Sequence, residues 1–70
     1  MMRANEILVG ETYAKDADRP GRRRALDRTV CKIAPDPADG RSMVTYESDS
    51  IIGRKTISLG AFVAWARRVL

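Results

Sequence analysis

Turn-forming residues cut this chain into short pieces, and that punctuation restricts it to brief strands with no room for a long helix before the C-terminal end. Gly10, Pro20-Gly21, the cluster Pro35-Asp36-Pro37-Ala38-Asp39-Gly40 and Ser48-Asp49-Ser50 each interrupt the sequence. Ile7-Leu8-Val9 leads through the Gly10 turn into Glu11-Thr12-Tyr13, whose β-branched and aromatic residues suit a first strand. Ala25 to Ala34 carries Thr29, Val30 and Ile33, the composition of a second strand. Its alternation is broken, because Val30 and Ile33 are three apart. Either Cys31 and Ile33 face inward together or a bulge resets the phase.

The 35–40 cluster reads as a hairpin loop, with Gly40 free to take the left-handed region after Asp39. Ser42 to Glu47 then alternates, with Val44 and Tyr46 on one face and Thr45 and Glu47 on the other. After the Ser48-Asp49-Ser50 turn, Arg54 to Leu59 alternates again, with Ile57 and Leu59 inward. Ile51-Ile52 lies between; it either begins this fourth strand or protrudes as an apolar interface anchor. Ser58 can cap a helix, and Phe62, Trp65, Ala66, Val69 and Leu70 recur at helical spacing. The spacing predicts a helix from about Leu59 to Leu70, with Arg67 and Arg68 in its last turn, where positive charge meets the negative end of the helix dipole.

With 70 residues the chain has room for one small domain, 1–70, and a core of this size rarely supplies more than about 3–5 kcal/mol. Disulfides and zinc are not available as supports: Cys31 is the single cysteine and there is no histidine. Four to five short antiparallel strands must curl into a small barrel or half-barrel to bury one face, and the expected fold is mainly β with a C-terminal helix, a small SH3-like β-barrel. Its core should hold Ile7, Val9, Tyr13, Val30, Ile33, Val44, Tyr46, Ile57, Leu59, Phe62, Trp65 and Leu70. The thin margin and the sheet edges predict a weak homodimer that strengthens with salt.

The missing histidine also removes the commonest general base and leaves the lone thiol without an imidazole partner, so no enzyme, catalytic residue, metal or cofactor is expected. Asp16, Asp18, Gly21 and Asp27 fall at calcium-loop positions, but Pro20 stands where a ligand is needed and arginines crowd the site. Gly53-Arg54-Lys55-Thr56 lacks the spacing of a phosphate loop. No apolar run reaches the length of a membrane span or a signal-peptide core, which predicts a cytoplasmic protein with no membrane partner.

Charge points to the partner. Lys and Arg number 13 against 9 Asp and Glu, giving a formal net charge of +4. Arg19, Arg22, Arg23, Arg24 and Arg28 cluster in and just beyond a basic loop spanning 14–24, and Lys15 adds to them. Guanidinium forks match phosphate and carboxylate bidentately, so a non-enzymatic module that docks on nucleic acid or a nucleoprotein complex is the first reading. Arg54 and Lys55 extend the surface if the fold brings them to the same side. Tyr13, Tyr46, Phe62 and Trp65 all fall at core positions, which leaves no aromatic platform for stacking bases.

The succession "LVGETY", basic loop, "RTVCKI", "MVTYE", "RKTISL" and "FVAWA" resembles short phage and prophage proteins with SH3-like or KOW-like barrels. That resemblance implies a second reading, a phage-encoded inhibitor or adaptor that covers an acidic surface of a host protein complex, of the restriction or CRISPR counter-defence type. The same arginines would then meet carboxylates, with Ile51 and Ile52 as apolar anchors.

Overall fold

The computed structural model describes residues 2–15 and 25–70. After a 3-10 turn at Ala4–Glu6 the described elements are β1 (Thr12–Ala14), β2 (Arg28–Pro35), β3 (Ser42–Glu47), β4 (Arg54–Ser58), α1 (Leu59–Trp65) and β5 (Arg68–Val69). The strands form one antiparallel sheet in the order β4-β3-β2-β1-β5. Among the described residues, β4 and β5 do not pair with each other, so the sheet is not closed into the expected barrel. α1 leads straight out of β4 and, through Ala66 and Arg67, into β5.

The hairpin between β2 and β3 forms as its turn residues dictate. Gly40 takes φ +73° and donates to Asp36 O at 2.8 Å, while the Asp36 and Asp39 carboxylates accept from the amides of Ala38 and Arg41. The broken alternation in β2 is resolved by a bulge: the register shifts between Val30 and Lys32, leaving Cys31 as the extra residue. Val30 therefore stays opposite Tyr46 and Ile33 opposite Val44, although the two are three apart in sequence.

One core results. Ile7, Tyr13, Val30, Val44, Tyr46, Phe62 and Ala66 are buried, with Met2, Ile33, Ile51, Ile57, Leu59, Val63 and Trp65 packed partly against them. Phe62 is its hub: its ring meets Tyr13 edge-on at 5.5 Å and lies 5.8 Å from Tyr46 and 5.7 Å from Trp65. Val9 departs from expectation. It sits in the turn before Gly10 (φ +91°) and is 60% exposed. Leu70 is only half-buried.

The helix is shorter than its apolar period. Ser58 caps it as expected, accepting from the Ala61 amide at 3.1 Å, but α1 ends at Trp65 and Ala66 is already extended. The outer edge of β1 explains this, because its backbone groups need partners and the tail supplies them. Arg67 N donates to Ala14 O and Leu70 N to Thr12 O, both at 2.9 Å. Arg67 and Arg68 thus belong to an added strand and its lead-in, not to a helical last turn.

Tyr13 ties the first segment to β1. Its hydroxyl donates to Glu6 O at 2.7 Å and accepts from Leu8 N at 2.8 Å, so the side chain fastens the chain ahead of Gly10. Burial pushes the phenol above its ordinary value of 10.0; the Leu8 amide opposes this, and the charges of Glu11 and Glu6 add to it. The folded protein thus holds this proton more tightly than the unfolded chain. The stability it contributes is intact below about pH 10 and lost as pH rises through the raised value. Urea midpoints measured across that range should fall more steeply for the wild type than for Tyr13→Phe. Parallel curves would show that Tyr13 is not responsible.

Candidate functional site

Where β1 ends and β2 begins, the sheet opens into a cleft of about 740 Å³. Antiparallel pairing decides which side chains reach it. Tyr46 on β3 stands directly opposite Val30 on β2 and Lys55 on β4, so all three point to the core side of the sheet. Arg28, two residues before Val30, shares that face and is paired with Tyr13 of β1. Arg28, Tyr46 and Lys55 all line the cleft.

Trp65, at the end of α1, completes the wall. The Arg28 guanidinium carbon lies 4.2 Å from the centre of the Trp65 ring and 4.5 Å from that of Tyr46, a cation-π contact on both. Among the described residues, no acceptor takes a hydrogen bond from this guanidinium and no carboxylate pairs with it. The two aromatic rings pack against this planar cation.

The opposite wall is built by the turn after β3. Ser48, buried, donates its hydroxyl to Ala25 O at 2.6 Å, and Ser50 N donates to the same carbonyl at 3.0 Å. These bonds clip the Ser48–Ser50 turn to the chain just ahead of β2. Ile51 packs its half-buried side chain against the core there and also lines the cleft, beside Leu26. Ile51 does not begin β4, which starts at Arg54; Ile52 is fully exposed, at 104%.

The charge of the cleft is lopsided. Among the described residues, Lys15, Arg28 and Lys55 line it against one carboxylate, Asp27, which is buried. Lys15 and Lys55 are exposed. Of the sequence-predicted residues, the fold thus brings Lys15, Arg28, Lys55 and Ile51 together. It separates Arg54 from Lys55: Arg54 stands opposite Glu47 on the other face and pairs with its carboxylate at 3.7 Å. Arg19, Arg22, Arg23 and Arg24 lie outside the described residues. Lys15 and Ala25, which flank the 16–24 segment in sequence, both line the cleft.

Sequence reasoning missed the contact of Arg28 with two rings. Tyr46 is buried in the core as expected, while Trp65 is half-buried against the core and also lines the cleft. The available signal was Arg28 itself, a cation in phase with Val30 on the apolar face of its strand.

No helix among the described residues is long and apolar enough to cross a membrane. No family model, curated protein or solved structure matches the chain.

Proposed function

We propose that this protein is a non-enzymatic binding module of SH3-like type that docks nucleic acid, or a nucleoprotein complex, on the face where the cleft opens. The observation that carries the reading is the convergence of Lys15, just after β1, Arg28 of β2 and Lys55 of β4 on one concave surface. Exposed lysines suit phosphates as point charges, and a guanidinium suits either a phosphate or a base edge. The arginines between Lys15 and Ala25 in sequence add positive charge to a segment whose two flanking residues line this same surface. The SH3-like assignment is supported by connectivity: a long first connection, a β2-β3-β4 meander, and a short helix leading to a last strand that returns beside β1.

Fluorescence anisotropy with a labelled oligonucleotide tests this. Affinity should fall linearly on a log-log plot against salt, by about 0.7 in slope for each phosphate contact to a single strand. Undetectable binding at low ionic strength, or affinity indifferent to salt, would refute it.

The acidic-protein reading keeps one observation of its own, the fully exposed Ile52 at the tip before Gly53. An apolar tip has no use on a phosphate backbone but can anchor a protein interface. If that reading holds, a partner captured from host lysate survives nuclease treatment and is lost with Ile52→Asp.

A further inference from the structure

A face that only neutralised phosphates would need cations on a convex or flat surface, and aromatic carbon would be wasted there. The cleft is concave, within the roughly 300–1,000 Å³ range of sites that enclose small ligands, and much of its wall is ring and aliphatic carbon from Trp65, Leu26 and Ile51. Burying such a wall against a hydrated phosphate gains nothing, whereas a flat ring displaces water from it favourably. Arg28 sharpens the match, since its guanidinium, held against the Trp65 and Tyr46 rings, sets a cation and N–H donors beside the apolar wall. A base inside a duplex is already stacked and cannot enter such a recess; a base in a single strand can be splayed out and inserted.

Resting on the nucleic-acid reading above, we infer that the cleft takes an unstacked base of a single-stranded nucleic acid, seated against Trp65, Leu26 and Arg28, with Lys15 and Lys55 on the neighbouring phosphates. The ligand class is therefore single-stranded nucleic acid in preference to duplex. Base stacking on aromatic side chains is sequence-tolerant, so the preference is for strandedness more than for one base.

Trp65 is the only tryptophan in the chain, so its fluorescence reports on the cleft directly. The wild-type protein is titrated at low salt with three probes: a short mixed-sequence single strand, the same strand made abasic, and the corresponding duplex. The intact single strand should change Trp65 emission saturably and bind at least about tenfold tighter than the abasic strand, the loss of one stacked base. If intact and abasic strands bind equally and leave Trp65 emission unchanged, the base-in-cleft inference is overturned while the electrostatic reading stands. Equal affinity and an equal emission change with the duplex overturn it too. If none of the probes binds, the nucleic-acid reading fails and this inference with it.

Discussion

Phe62→Ala should leave the protein largely unfolded at room temperature. Phe62 is completely buried, and its ring touches three other aromatic rings, from β1, β3 and its own helix. Truncating a buried phenylalanine removes the transfer energy of the ring and leaves a cavity, together about 3–5 kcal/mol. A core of this size, with no disulfide to limit the unfolded chain, rarely holds more than that in total. The neighbours cannot close the gap easily, because Tyr13 is held by hydrogen bonds at its hydroxyl and Tyr46 by strand pairing on both sides. Trp65 ranks below Phe62 in this respect, being half-buried with part of its ring against Arg28. Urea denaturation followed by circular dichroism decides the matter. A Phe62→Ala midpoint equal to that of the wild type would mean that the core does not centre on this ring.

Local chemistry made much of the fold legible. The Pro-Asp-Pro-Ala-Asp-Gly turn, the alternation of β3 and the serine cap of α1 each depend on residues close in sequence, and each stands where the pattern puts it. The phase of β4 was also readable: Ile57 inward places Lys55 inward and Arg54 outward, two positions and three positions before it. What escaped the pattern depends on contacts between distant residues. Val69 and Leu70 continue the helical period of Phe62 and Trp65, but the unpaired edge of β1 offers them backbone partners that the helix cannot. A one-dimensional period carries no trace of that competition. Val9 looks like core by composition and is exposed because the turn at Gly10 swings it out.

The site follows the same division. Its cations stand out in the sequence, but the surface on which they act does not. Arg28, Tyr46 and Trp65 meet only after β2 pairs with β3 and α1 folds back over the sheet. Core assignment of the aromatics was correct and incomplete, since a ring can present one part to the core and another to a cleft. Likewise Arg54 and Lys55 are adjacent in sequence and point to opposite faces, so counting them together overstated the basic surface.

That separation of faces supplies the most direct test of the central claim, that nucleic acid docks where the cleft opens. Lys15 and Lys55 are exposed, so replacing both with Ala should leave the fold intact, as an amide NMR spectrum would verify. Arg54→Ala removes one positive charge from the opposite face and serves as the control. Affinity for a single-stranded oligonucleotide is then measured against salt for the wild type and both variants. If docking is at the cleft, the Lys15→Ala/Lys55→Ala protein binds more weakly at low salt. Its log-log slope is shallower by about 1.4, because two phosphates are no longer neutralised, while Arg54→Ala follows the wild type. A double variant that tracks the wild type, or an Arg54→Ala protein whose affinity and slope fall as far, would contradict the account.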